Sequence, residues 1–249
     1  MIDFHCHIDL YPQPEIVLDR VLREGIYVLA VTTTPLAWRG TNELVKGAPR
    51  VRVAAGLHPK LVAERQLEVE ALCHLTNETR YVGEVGLDGS PECRGSFAKQ
   101  QQVFRRVLEA CADKGGRILS VHSRGAASAV LDALDACPEA GTPVLHWFSG
   151  TTRELSRAIA LGCWFSVGPS MLTSAKGCAL VRAMPPDRVL TETDGPFANK
   201  SGKQLMPWDV ADSIAWLASV WSMSPAETAK QIDDSCRRLV ARKDQVPSC

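Results

Sequence analysis

The feature that most constrains this chain is a repeated alternation of two hydrophobic periods. Short runs rich in β-branched and apolar residues recur at residues 2–5, 27–32, 51–55, 81–85, 118–122, 143–146, 164–167 and 188–191. Between them, in segments such as 15–24, 64–76, 96–114 and 126–136, apolar positions return three and four residues apart, which is the period of an amphipathic helix. Strand and helix in alternation is the pattern of βα units, whose parallel strands are covered by the helices that connect them. Eight strands close a (β/α)8 TIM barrel, a fold of about 250 residues. The 249 residues here fit one such α/β domain spanning 1–249.

Two four-residue patterns, Thr151 with Glu154 and Ser224 with Glu227, read as capping boxes that open helices, the second starting a terminal helix that runs to about Val240. Residues 197–207, rich in Lys, Gly and Ser, predict a long loop after the last strand. Lys plus Arg and Asp plus Glu balance at 28 each, so the chain lacks the basic excess that drives sequence-independent affinity for a long duplex. A nucleic-acid substrate would be gripped locally, near the site. Nine cysteines, odd in number and without a C-x-x-C pair, read as reduced and mostly buried thiols. The chain opens directly into an apolar strand, and no apolar run approaches the roughly 18 residues of a membrane span, so the expectation is a cytoplasmic protein with no membrane contact.

The chemistry begins at His5-Cys6-His7: on an extended strand, side chains two apart point the same way, so both imidazoles can reach one ion. Glu84, His122, His146 and Asp194 each fall at or just beyond the C-terminal end of a different predicted strand, the face where barrel active sites gather. Buried structural histidines would have to be invoked four separate times to explain the same placement. Six donors exceed the three or four protein ligands of one catalytic zinc, so two divalent ions are the natural reading, about 3.5–4 Å apart, with Glu84 bridging them. Nitrogen and oxygen donors suit zinc, manganese or iron, and a weaker magnesium site is compatible.

Six successive segments then carry a family resemblance: residues 3–9 (DFHCHID), 56–59 (GLHP), 83–88 (GEVGLD), 121–124 (VHSR), 146–150 (HWFSG) and 191–196 (TETDGP). In order and spacing they resemble the motifs of the TatD family over nearly the whole chain. The resemblance implies an amidohydrolase-like barrel with metal-dependent deoxyribonuclease activity, described as 3′-to-5′ exonuclease action on DNA and sometimes RNA, on single strands or 3′ ends. It places His5, His7, Glu84, His122, His146 and Asp194 at the family's metal-binding positions. The rim departs from the pattern. Asn199-Lys200-Ser201-Gly202-Lys203-Gln204-Leu205-Met206-Pro207 replaces a loop with an Arg and an Asn-Glu-Pro motif, Gly89 stands after Asp88 where an aromatic is common, and Lys60 follows His58-Pro59. A compact, divergent chain of this kind also resembles the TatD-like component of Qat-type anti-phage cassettes, which implies protein partners from a defence operon.

The expected mechanism is attack on phosphorus by a water activated between the ions, with Glu84 and Asp194 as the catalytic carboxylates, Asp194 orienting that water or taking its proton. Arg124 and His58 are the candidate phosphate-binding residues, and Glu192, on the Asp194 side of the last strand, is a supporting group. Trp147 and Phe148 follow a proposed ligand, and packing beneath a loop is the preferred reading over stacking on a base. Two rival functions share the fold: hydrolysis of a small cyclic amide or ester, and a metal-stabilised subunit that docks partners with little activity.

Overall fold

The computed structural model describes residues 1–242. Eight parallel strands alternate with helices: β1 Ile2–Cys6, α1 Pro14–Arg23, β2 Tyr27–Val31, α2 Pro35–Leu44, β3 Val51–Ala54, α3 Val62–Arg65, α4 Val69–Leu75, β4 Tyr81–Gly86, α5 Phe97–Ala112, β5 Ile118–His122, α6 Ala127–Asp135, β6 Thr142–His146, α7 Thr152–Ala160, β7 Trp164–Val167, α8 Ala175–Ala183 and β8 Val189–Thr191. A two-stranded hairpin (β9 Asn199–Lys200, β10 Lys203–Gln204) and two helices (α9 Val210–Trp221, α10 Pro225–Ala241) follow. The expected (β/α)8 order is therefore present, with each strand within about one residue of its sequence-based boundary.

The barrel is laddered in two arcs. β1, β2 and β3 pair in one sheet and β4 through β8 in another, every neighbour parallel. One seam, between β3 and β4, is joined by a bridge from Ala55 to Val82. The other, between β8 and β1, is held by the buried Asp3 carboxylate, which accepts from the backbone N–H of Thr193 at 2.9 Å and of His5 at 3.3 Å. Beyond the strands, Asp194 N–H donates to the His5 carbonyl at 2.9 Å and His7 N–H to the Gly195 carbonyl at 2.8 Å.

Strands buried on both faces read as continuous apolar runs because helices cover the outside and side chains fill the inside. Phe4, Leu29, Val82, Leu119, Leu145, Phe165 and Leu190 belong to one large buried cluster. A smaller cluster lies where Val17, Leu18 and Val21 of α1 meet Val28 and Ala30 of β2 and Val51 and Val53 of β3. Both capping boxes form, at the starts of α7 and α10.

The expected helix over 64–76 is instead broken: α3 gives way to a 3₁₀ turn at Gln66–Glu68 before α4 begins. Leu67 within that turn is 88% exposed, so no apolar face there favours continuing the α-helical period. The expected loop over 197–207 carries the β9–β10 hairpin, turned through Ser201 and Gly202 in the left-handed region. All eight cysteines among the described residues are free thiols, six of them buried.

Candidate metal centre

At the C-terminal mouth of the barrel, both strands that carry the first donors break register. The β1 ladder to β2 shifts between Asp3 and Cys6, and the β4 ladder to β5 shifts between Val82 and Val85. These bulges free the backbone around His5 and Glu84 from regular pairing and re-aim their side chains. Gly56 makes the second one possible: a Cβ there would overlap the Thr32 carbonyl oxygen and the Glu84 backbone nitrogen. Only glycine lets the chain after β3 approach β4 this closely.

The Glu84 carboxylate, 2% exposed, is the hub. Its Oε2 lies 3.4 Å from His5 Nε2 and 3.3 Å from His7 Nε2, and both of those nitrogens are 3.7 Å from Asp194 Oδ1. Its Oε1 lies 2.7 Å from His122 Nδ1, 3.0 Å from His146 Nε2 and 3.2 Å from His58 Nε2. One carboxylate thus faces two separate sets of imidazoles, one with each oxygen. All six donors anticipated from the sequence come together. His58 joins them, although the sequence offered it as a phosphate contact, an acid or a hydrogen-bonded loop histidine and not as a member of the donor set.

Two rings are held from behind by hydrogen bonds, and a third has a carboxylate nearby. Ser120 Oγ sits 2.7 Å from His5 Nδ1, Asp88 Oδ2 is 2.8 Å from His122 Nε2, and Glu192 Oε2 is 3.8 Å from His146 Nδ1. Asp88 is itself fixed, accepting from Ser90 N–H at 2.9 Å, while its own N–H donates to Gln100 Oε1 at 2.7 Å. Glu192 accepts from Trp147 N–H at 2.9 Å and from the Ser166 hydroxyl. Asp88 is the positioning residue that sequence reasoning missed, though it closes the GEVGLD segment one strand away from His122.

The electrostatics of this arrangement favour ion binding. Burial pushes the Glu84 carboxyl up, but His58, His146 and His5, with the hydrogen bond from His122, hold it well below the usual carboxylate range. Burial, reinforced by charge at His146, keeps His5 well below the ordinary imidazole value and therefore neutral, the form that ligates. His146 stacks on His5 with ring centroids 3.8 Å apart. Burial opposes its charged form, yet Glu84 and Glu192 raise it well above the ordinary value. Burial and then the charge on Glu84, against the pull of His146 and His7, push Asp194 up to about 6. Asp194 has a positive φ of 55°, an uncommon backbone state for a residue other than glycine and one that concentrates at functional sites.

The buried atoms His5 Nε2, His7 Nδ1, His7 Nε2 and His146 Nδ1 have no hydrogen-bond partner. Buried polar groups are normally satisfied, and here two of the orphaned nitrogens converge on the same pair of carboxylates. Three overlapping groups, His5–His7–Glu84, His5–His146–Glu192 and His58–Glu84–His122, bring their donor atoms within 4.8 Å of one another. Imidazole nitrogens with carboxylate oxygens are the donors of zinc, manganese and iron hydrolases. The residues present fit a divalent metal.

The other anticipated residues are placed differently. Arg124 is exposed at the turn before α6, and Lys60 and Lys200 are spent on Glu92 at 3.5 Å and Asp212 at 2.7 Å. Phe148 is 1% exposed and belongs to the core, and Trp147 is half-buried against it, so both pack rather than face solvent. Among the described residues no helix is long and apolar enough to cross a membrane.

A parallel barrel with this histidine and carboxylate cluster at its C-terminal mouth defines the class of metal-dependent hydrolases. A family model described as TatD related DNase matches residues 2–241, and the chain belongs to that family. Deoxyribonuclease TATDN3 of Homo sapiens is 27% identical over 262 residues, covering 96% of this chain and 94% of its own. The 3′-5′ ssDNA/RNA exonuclease TatD of Musicola paradisiaca is 26% identical, covering 90% of each chain. The crystal structure of YJJV, a TatD homologue of Escherichia coli, superposes with a TM-score of 0.85 over 98% of each chain at 23% identity, which establishes the fold.

Proposed function

We propose that this protein is a two-metal phosphodiesterase that trims single-stranded DNA from its 3′ end. The observation that carries the reading is the division of Glu84, whose Oε2 faces His5 and His7 while its Oε1 faces His122, His146 and His58. A carboxylate that presents its two oxygens to two separate donor sets is what a two-metal hydrolytic site would require. His5, His7, Glu84 and Asp194 would hold one ion, and Glu84, His122 and His146 the other. Ions bound there supply Lewis acidity, bringing the pKa of water toward neutrality and countering charge on a phosphoryl oxygen.

The chain's own groups complete the reaction. Asp194 Oδ1, raised to about 6 and partly open to the mouth, accepts the proton of the attacking water. His58, half-buried, accepts the Lys60 backbone N–H on Nδ1 at 3.1 Å, so its Nε2–H faces Glu84 Oε1 at 3.2 Å, where a nonbridging phosphate oxygen entering the cluster would meet it. Arg124, exposed beyond β5, clamps the following phosphate with its planar fork. The choice of a nucleic-acid substrate is supported by the two relatives whose names specify deoxyribonuclease and ssDNA/RNA exonuclease.

The test is digestion of a labelled single-stranded oligonucleotide with manganese or magnesium, beside Asp194→Ala prepared identically. Stepwise shortening from the 3′ end by wild type is expected, with a loss of about 10²- to 10⁴-fold in the variant. Equal cutting by both refutes the role of Asp194. No cutting of any oligonucleotide by metal-loaded wild type, with turnover of a small cyclic amide or ester, would replace the reading.

A further inference from the structure

The mouth of the barrel carries one large apolar side chain that the mechanism leaves unused. Phe197 is 61% exposed, although it follows the Asp194 turn directly and its ring stands edge-on to His7 with centroids 5.0 Å apart. Its backbone is pinned on both sides: Ala198 N–H donates to the Asp194 carbonyl at 2.9 Å, and Leu205 N–H to the Ala198 carbonyl at 3.0 Å. Gln204 Nε2 holds the Pro196 carbonyl at 3.0 Å. An aromatic ring held in water by a fixed backbone, with one edge on a candidate metal ligand, is a preformed surface rather than a side chain awaiting burial.

The neighbourhood is asymmetric in the same sense. The segments after β1, the strand next to β8, and after β2, the other neighbour of β1, expose Leu10 at 42% and Leu36 at 78%. On the segment after β5, Arg124 is exposed and has no ion-pair partner among the described residues, whereas Lys60 after β3 is turned to Glu92 at 3.5 Å. Exposed apolar side chains thus follow β8, β1 and β2, and an unpaired guanidinium follows β5, whose His122 reaches the Glu84 cluster. A single-stranded chain has the same two faces, bases and phosphates.

Resting on the nuclease reading above, we propose that Phe197 is the stacking platform for the terminal base of a single strand, and that the phosphates run from the Glu84 cluster toward Arg124. Phe197 lies one nucleotide's reach from His7, so a base on its ring sets the adjoining phosphodiester at the cluster. Stacking is sequence-tolerant because every base has a π-face. Stacking on a base, the reading not preferred for Trp147 and Phe148, falls instead to Phe197, two residues before the replaced loop.

The experiment compares kcat/KM for two oligonucleotides, identical except that one carries a base at its 3′ end and the other an abasic 3′ nucleotide, in wild type, Phe197→Ala and Phe197→Trp. Wild type is expected to prefer the base-bearing end by roughly 5- to 150-fold, the worth of one stacked base. Phe197→Ala should collapse that ratio, and Phe197→Trp should retain it. An unchanged ratio in Phe197→Ala, or equal losses on both ends, overturns the proposal and makes Phe197 a packing partner of His7. A wild type that cuts neither end overturns the nuclease reading, whereas a wild type that cuts both ends equally overturns only the platform.

Discussion

If two ions bind as proposed, replacing Asp88 by Asn isolates the outer support of one of them. Asp88 Oδ2 lies 2.8 Å from His122 Nε2, and both groups are buried. As a carboxylate held well below its usual range, by hydrogen bonds from His122 and Ser90 that outweigh its burial, it accepts from Nε2–H. That leaves the other nitrogen, Nδ1, 2.7 Å from Glu84, to give up its proton and ligate when an ion enters. In Asp88→Asn the amide oxygen can still serve Ser90 N–H, but the amide nitrogen then donates toward Nε2 and drives the ring proton to Nδ1, into the place a ligand needs. A buried hydrogen bond to a charged group contributes about 1.5–3 kcal/mol, or roughly 10- to 150-fold in affinity. Groups placed behind metal-bound histidines span a similar range, about 10- to 100-fold.

The loss should be confined to one ion, because the donors facing Glu84 Oε2 are His5, His7 and Asp194, and none of them touches Asp88. Calorimetric titration of metal-free protein with manganese reads both steps. The expected result is one step at wild-type affinity and one weakened by the factor above, with an unchanged far-UV spectrum. Two wild-type steps would refute the tautomer argument. Equal weakening of both would show that Asp88 acts on the barrel rather than on His122.

Metal affinity should rise with pH between about 5 and 8, by roughly tenfold per unit for each proton displaced. His146 and His122 are held above the ordinary imidazole value by Glu84, Glu192 and Asp88 against the pull of burial, so they carry protons that an ion must displace. Glu84, held low, is already ionised and adds none, while Asp194 adds one only below about 6. A pH-independent affinity would refute the assignment of His122 and His146 as ligands. Gly56→Ala forces a methyl into backbone atoms of Thr32 and Glu84 that cannot yield. The expected cost is about 1–3 kcal/mol, a Tm lower by roughly 2–12 °C, together with weakened metal binding, and an unchanged melt with normal metal uptake would show that β4 can shift freely.

The barrel was legible because its period changes are long and regular: eight apolar runs separated by helical spacing leave few other architectures. α2 was less visible, since Gly40, Thr41 and Asn42 weaken its helical signal and Thr34 supplies the cap only once the turn has formed. The six donors were legible because they fall at or just past strand ends, and strand ends of a barrel share one face. His58 and Asp88 were ambiguous for the opposite reason. A histidine after β3 reaches Glu84 only through the close approach at Gly56, and the partner of Asp88 lies 34 residues away. Phe197 carried no signal at all in a sequence reading, because exposure is a property of the finished surface.

The two-arc sheet gives the centre a mechanical meaning. His5, His7 and His58 belong to the arc of β1 to β3, whereas Glu84, His122, His146 and Asp194 belong to the arc of β4 to β8. The cluster therefore lies across both joins of the barrel. An ion held between the arcs would be a clasp as well as a reagent: it would lock the hoop that aims its own ligands, so metal-loaded and metal-free protein should differ most in hydrogen exchange along β1 and β4.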